Sequence, residues 1–205
     1  MEYLCLPVGQ LQANCYLIWD EDRNAILIDP GDEADRLLRM IGKRGLSLSA
    51  ILLTHAHFDH MMAVNAVKDE TGAPVMVHAA EEPALSNEHI NLSSMVGIPY
   101  RTAADRLLQD GETVTIGKLT FTVIHTPGHT VGSCCYAIDD LLFSGDTLFA
   151  GSIGRTDFPG GSMTVMQQSL AKLCTYPDYI SVLSGHGEAT TIGIEKRNNP
   201  FLQGR

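Results

Sequence analysis

The sequence predicts an α/β protein in which two β-sheets are faced by helices. Three observations predict it: many short apolar runs rich in β-branched residues, only three longer segments with helical spacing, and strands that come in groups rather than in regular alternation with helices. The runs at 14–19, 24–29, 50–54, 74–78, 118–125, 133–138, 140–144 and 179–184 read as strands, because each is short and flanked by turn-forming residues. Residues 33–44 read as a helix with Asp32 as N-cap, residues 60–69 as one behind Asp59, and residues 163–174 as one behind Ser162. Asp29-Pro30-Gly31-Asp32, Thr126-Pro127-Gly128 and Pro159-Gly160-Gly161 punctuate the joins. Residues 79–110 read as a short helix around 80–86 followed by irregular sequence, either a lid or a long connection.

Composition narrows the function. The chain of 205 residues is 44% apolar and 19% charged, the balance of an ordinary globule. Surface scaling buries roughly 70% of the unfolded chain's surface, enough for a single domain over 1–205 without disulfides. A net charge of −10 argues against nucleic acid and anionic membranes as partners, since both would repel the chain. No apolar run approaches the ~18 residues of a membrane span. Met1-Glu2-Tyr3-Leu4-Cys5 shows neither a basic region nor a cleavage site. Five cysteines without a C-x-x-C pair read as reduced thiols, so a cytoplasmic location is expected. There is no G-x-G-x-x-G opening a helix and no phosphate-binding Gly-Lys-Ser/Thr loop, so nucleotide chemistry has no support, and nothing sets an oligomeric state.

The chemistry concentrates in Ile51-Leu52-Leu53-Thr54-His55-Ala56-His57-Phe58-Asp59-His60. An apolar strand ends in four potential metal ligands within six residues. Extended backbone sends His55 and His57 to one side, and a helix starting at Asp59 brings Asp59 and His60 round to a second location. Imidazoles and carboxylates suit zinc, iron and manganese. Three other places repeat one grammar of apolar strand, small residue or proline, glycine, then ligand. They are Ile124-His125-Thr126-Pro127-Gly128-His129, Leu142-Phe143-Ser144-Gly145-Asp146 and Val182-Leu183-Ser184-Gly185-His186. Alone, His129, Asp146 or His186 reads as an ordinary loop residue; the shared grammar makes them candidates. Five of the eight histidines are thereby gathered. The seven groups divide into His55, His57 and His129 for one metal and Asp59, His60 and His186 for another, with Asp146 between them. Two cations against two aspartates leave the site locally positive, suited to a small anionic substrate. Metals about 3.5–4 Å apart can hold a hydroxide between them and polarise a carbonyl, which implies hydrolytic attack on an acyl carbon.

Thr54-His55-Ala56-His57-Phe58-Asp59-His60 with His129, Asp146 and His186 resembles the metallo-β-lactamase-fold hydrolases, and Asp29-Pro30-Gly31 extends the likeness through nearly the whole chain. That resemblance implies a four-layer αββα sandwich with its metals at one edge between the sheets. It also implies the ligand division above, a catalytic role for Asp59, and two divalent metal ions, zinc first with iron or manganese as alternatives. Gly145-Asp146-Thr147-Leu148-Phe149 and Asn199-Pro200-Phe201 look like a short glyoxalase II, whose reaction is hydrolysis of S-D-lactoylglutathione to D-lactate and glutathione by a metal-bound hydroxide. Arg155 stands where that family usually has a glutathione-contacting lysine. Only Leu202-Gln203-Gly204-Arg205 follows Phe201, so the helical C-terminal glutathione-binding domain of the long form is not expected.

Competing readings stay beside this one. Arg155-Thr156-Asp157-Phe158 also resembles persulfide dioxygenases of the same fold, which hold a single iron at positions matching His55, His129 and Asp146. β-Lactamases normally carry cysteine where Asp146 stands, which argues against antibiotic hydrolysis. Lactone hydrolysis uses the same ligand set. A metal-binding protein without catalysis is the weakest of the readings. His78, His89 and His125 read as packing or surface residues, Cys134 and Cys135 as core on opposite strand faces, and Tyr100 and Tyr136 as packing. Arg155 reads equally as a substrate contact or as a salt-bridge partner of Asp157.

Overall fold

Alternation of apolar side chains along the central strands sets the layers. A computed structural model shows the fold over residues 1–203. The elements run β1 (Glu2–Val8), β2 (Ala13–Trp19), β3 (Asn24–Ile28), α1 (Ala34–Lys43), β4 (Ser47–Leu53), α2 (Phe58–Met61), α3 (Val64–Thr71), β5 (Val75–His78) and α4 (Glu82–Leu85). Then follow β6 (Arg106–Leu108), β7 (Thr113–Ile116), β8 (Leu119–His125), β9 (Cys134–Ile138), β10 (Leu141–Gly145), β11 (Leu148–Phe149) and β12 (Ser152–Ile153). The chain continues with α5 (Met163–Leu173), β13 (Ser181–Ser184), β14 (Thr190–Thr191) and α6 (Ile192–Asn198). One sheet has the order β1-β2-β3-β4-β5-β6 and the other β14-β13-β10-β9-β8-β7, with β11 and β12 forming a small ribbon.

Both faces of β2 are buried, and period 2 divides its residues between two cores. Cys15, Leu17 and Trp19 pack outward with Leu37 and Ile41 of α1, Val64 and Val67 of α3, and Leu85 of α4. Tyr16 and Ile18 face inward, meeting Phe121, Val123, Tyr136 and Phe143 of the second sheet. That sheet's outer face carries Ile124, Cys135, Leu142 and Val182 onto Met166 and Leu170 of α5 and Ile192 of α6. Helix, sheet, sheet, helix is the αββα sandwich expected. Cys134 and Cys135 do fall in different cores, and none of the five cysteines is in a disulfide. No helix among the described residues is long and apolar enough to cross a membrane.

The eight expected strands are all present; β1, β6, β7, β11, β12, β14 and α6 lie outside the expected elements. β1 is an edge strand with only Leu6 and Val8 buried and a proline within it, a residue that argues against a strand when read from sequence alone. The helix expected at 60–69 is two: α2 ends before Met62 and α3 starts at Val64, with the Ala63 N–H turned to the Pro30 carbonyl. Asp32 does not cap α1. Glu33 occupies the N-cap with φ 55°, and Asp32 Oδ1 accepts the Glu33 N–H instead. His57 is the N-cap of α2, which puts Asp59 in its first turn rather than before it. Ser162 caps α5 as expected, its hydroxyl accepting the Val165 N–H. Residues 79–110 form an ordered wall. Asn91 Nδ2 donates to the Ala84 and Tyr100 carbonyls, and the Asn91 carbonyl accepts the Phe58 N–H.

Candidate metal centre

Strand direction explains why distant segments meet. β3 and β4 are parallel, as are β10 and β13, and β8 is antiparallel to β9, which is antiparallel to β10. The carboxyl ends of β8, β10 and β13 therefore lie at one end of their sheet. Cross-sheet hydrogen bonds lock those ends to the first sheet. Tyr136 Oη donates to the Leu53 carbonyl at 2.8 Å, and Cys134 N–H to the Thr54 carbonyl at 2.9 Å. Tyr16 Oη donates to the Ser184 carbonyl at 2.6 Å.

All seven sequence-predicted ligands converge there. His55, His57 and His129 bring one ligand atom each within 4.8 Å of one another, and so do Asp59, His60 and His186. Asp146 lies between the triads. Its Oδ2 is 3.6 Å from His129 Nε2 and 3.8 Å from His186 Nε2, while its Oδ1 is 3.5 Å from His60 Nε2. Asp59 Oδ2 is 3.2 Å from His186 Nε2. Two glycines permit this crowding. A Cβ on Gly185 would stand 2.1 Å from Asp146 Oδ1, and one on Gly145, at φ 49°, would strike Thr54 Oγ1 at 2.4 Å.

The donor set fits cations. His55 Nε2, His57 Nε2, His129 Nε2 and Asp146 Oδ1 are buried without a hydrogen-bond partner, an arrangement proteins avoid unless such atoms serve another purpose. Three imidazoles are oriented from behind. His129 Nδ1 donates to the Arg155 carbonyl at 2.7 Å and His60 Nδ1 to Asp29 Oδ2 at 3.0 Å. His55 Nδ1 lies 3.1 Å from Thr54 Oγ1, whose own proton goes to Asp29 Oδ2 at 2.6 Å. Each ring then turns an Nε2 lone pair toward the site, as metal-binding histidines do. Burial, reinforced by the neighbouring imidazoles, holds His55 and His57 neutral, His57 at about 3. Burial opposes charge on His60, but Asp59, Asp146 and Asp29 outweigh it and push its pKa up to about 10. That ring sits in a field that favours positive charge, so a cation there competes with a proton.

Two supporting carboxylates were not singled out from the sequence. Asp29 stands in the sequence as part of a turn and of the Asp29-Pro30-Gly31 likeness, with no role at the site, yet besides His60 and Thr54 Oγ1 it accepts the Thr54 N–H at 2.7 Å. Glu81 is fully buried and ties two ligand-bearing loops together. Its Oε1 accepts the Ala56 N–H at 3.0 Å, and its Oε2 accepts the Thr130 hydroxyl and the Gly132 N–H, each at 2.8 Å. Glu81→Ala would strand the buried Ala56 and Gly132 N–H groups and leave the Thr130 hydroxyl with Ser133 Oγ alone. Chemical denaturation should show a loss of about 3–5 kcal/mol, and metal titration a 10–100-fold weaker affinity at the His55–His57–His129 triad.

The site opens into a cleft of about 500 Å³ walled by Leu11, Leu92, Met95, Phe149, Ile153 and Phe158. Arg155 is at its exposed rim, paired with Asp157 at 2.8 Å and stacked 4.1 Å from the Phe158 ring centroid. The salt bridge is thus present, and the side chain still borders the cleft. His78 and His125 stay outside the site and stack on each other with centroids 3.9 Å apart. Burial and then His125 depress His78 from its ordinary 6.5 to about 4. Its neutral form is the one the fold favours, so its contribution is complete above about pH 6.5 and is lost as pH falls toward 4. In denaturant midpoints taken at pH 7 and pH 4, His78→Phe should show a smaller acid-induced fall than the parent.

Comparison with known proteins places this arrangement. The chain is 39% identical over 206 residues to hydroxyacylglutathione hydrolase GloC of Haemophilus influenzae, covering 98% of this chain and 97% of that one. Among solved structures it resembles the BLEG-1 B3 metallo-beta-lactamase, at a TM-score of 0.95 and 44% identity over 99% of this chain and 100% of that one. It also resembles TTHA1623 in a di-iron-bound form, at 0.89 and 38% over 97% and 100%. The family model for the metallo-beta-lactamase superfamily matches residues 8–186, a span that holds every candidate ligand. The chain belongs to the metallo-beta-lactamase superfamily, a family of metal-dependent hydrolases.

Proposed function

We propose that this protein hydrolyses thioesters, with S-D-lactoylglutathione as the first substrate to test and D-lactate and glutathione as products. The observation that carries the reading is the single carboxylate of Asp146 set between two triads of imidazole and carboxylate donors. His55, His57 and His129 would hold one divalent cation, Asp59, His60 and His186 a second, and Asp146 both. When bound, such cations supply Lewis acidity that polarises a carbonyl and acidifies a water. Zinc is the first expectation and iron the second, the di-iron neighbour supporting the latter.

The chain's own residues do the rest. Asp59 borders the cleft beside His186 and is kept ionised. Burial works against its charge, but His60 and then His186 outweigh it and lower its pKa. It is the group placed to accept a hydrogen bond from the attacking water and hold it toward the acyl carbon. Phe149, Ile153 and Phe158 screen the reacting carbonyl from bulk solvent. Arg155 supplies the rim with positive charge for a substrate carboxylate, at the cost of sharing Asp157. Water adds to the acyl carbon, the carbon–sulfur bond breaks, and the thiol leaves with a proton.

Zinc-loaded and iron-loaded protein incubated with S-D-lactoylglutathione should release free thiol, with metal content measured by elemental analysis. Thioesters left intact by protein carrying two metals per chain would refute the proposal. Two comparators belong in the same experiment. A β-lactam tests the reaction named for the BLEG-1 neighbour. Oxygen uptake with glutathione persulfide in iron-loaded protein tests the dioxygenase reading raised by Arg155-Thr156-Asp157-Phe158.

A further inference from the structure

The metal edge opens in a second direction that the reaction above leaves unused. Beside the main cleft lies a smaller chamber of about 260 Å³. Leu11, Phe58, Asp59 and Val96 line both spaces, so the chamber begins at a candidate metal ligand. Its remaining walls include Val8, Met62 and Ile98. The turn between β1 and β2 contributes Leu11, and the segment after Asn91 contributes Val96 and Ile98. All three are large apolar side chains held in water, at 55%, 46% and 56% exposure.

We infer that this chamber receives the acyl group of the substrate, and that the preferred acyl group is an unbranched apolar chain of about four to eight carbons. The inference rests on the thioester reading and adds to it which half of the molecule goes where. Charge sorts the two halves. Asp32 is the charged residue that the chamber does not share with the main cleft, and it is acidic, so a carboxylate is disfavoured there. Arg155 lines only the other space. A thiol half bearing carboxylates, such as glutathione, is therefore directed toward Arg155, and the apolar acyl half toward Val8, Met62 and Ile98. Size agrees: at ~30 Å³ for a water-sized group, the space takes about eight methylene-sized units. An acyl chain would also withdraw Leu11, Val96 and Ile98 from water, a gain that lactoyl, with its hydroxyl and two-carbon tail, cannot match.

The test uses the metal-loaded full chain with S-lactoyl-, S-acetyl-, S-butyryl-, S-hexanoyl- and S-octanoylglutathione. KM should fall about three- to fourfold per added methylene up to hexanoyl or octanoyl. Ile98→Asp, at an exposed position, should flatten that series, weakening the long acyl chains far more than the lactoyl thioester. Calorimetry supplies a readout independent of turnover: S-hexylglutathione should bind the parent at least tenfold more tightly than S-methylglutathione, and the difference should vanish in Ile98→Asp. Lactoylglutathione hydrolysis with a flat chain-length series overturns the chamber assignment and leaves the reaction standing. If no thioester turns over but the hexyl preference appears and depends on Ile98, the reaction fails and the chamber stands as an apolar site. Equal affinity for the two thioethers overturns it outright.

Discussion

Asp146→Asn should deprive the protein of both cations in a single substitution. Asp146 lies directly against members of both triads, with Oδ2 at 3.6 Å from His129 and 3.8 Å from His186, and Oδ1 at 3.5 Å from His60. Asparagine keeps the shape but turns one oxygen into an amide nitrogen that cannot ligate, and it removes the negative charge shared by the two positions. The loss in metal affinity should exceed the 10–100-fold of an outer-shell change, and thiol release should fall by at least about 10²–10³-fold. Elemental analysis after dialysis reads the first effect and a thiol assay the second. His129→Ala and His186→Ala, each touching one triad, should lose one cation apiece and so show that the double loss is specific to Asp146. An asparagine variant that keeps two metals per chain at parental affinity would rule out the bridging role.

Asp29→Ala should be strongly destabilising. Asp29 is 1% exposed, and its two oxygens accept from the Thr54 N–H, the Thr54 hydroxyl and His60 Nδ1. Alanine leaves all three donors buried and unpaired, which costs about 3–5 kcal/mol. For a chain of this length that is a fall in Tm of roughly 6–20 °C. The same change frees two ligand rings, His60 directly and His55 through Thr54, so metal affinity at both positions should drop 10–100-fold. Thr54→Val separates the routes: it breaks the link to His55 and keeps the Asp29–His60 contact, so only the His55 triad should weaken. An unchanged Tm in Asp29→Ala would contradict the accounting of these donors.

The candidate ligands were legible because each stands at the end of an apolar run, next to residues that turn the chain. A strand long enough to be buried puts its last residues at a sheet edge, and Gly128, Gly145 and Gly185 announce the crowding there. The helix split at Met62 was not legible, since it depends on the Pro30 carbonyl meeting the Ala63 N–H. Neither was the left-handed Glu33, whose carboxylate accepts the Gly9 N–H from the turn after β1. Asp29 and Glu81 were missed for a related reason. By sequence, one is a turn residue before proline and the other an acidic residue near a helix start. Their hydrogen-bond partners lie 25 to 51 residues away along the chain.

Sequence alone therefore determined the layered class, the eight central strands and the chemical identity of the seven donors, because apolar period and turn chemistry act over a few residues. Tertiary structure decided which way each imidazole points, which buried carboxylates stand behind the ligands and where the second chamber opens. Those depend on strand direction, on cross-sheet contacts such as Tyr136 to Leu53 and Tyr16 to Ser184, and on close packing around buried carboxylates. Such contacts join segments far apart in the chain, and no local pattern encodes them.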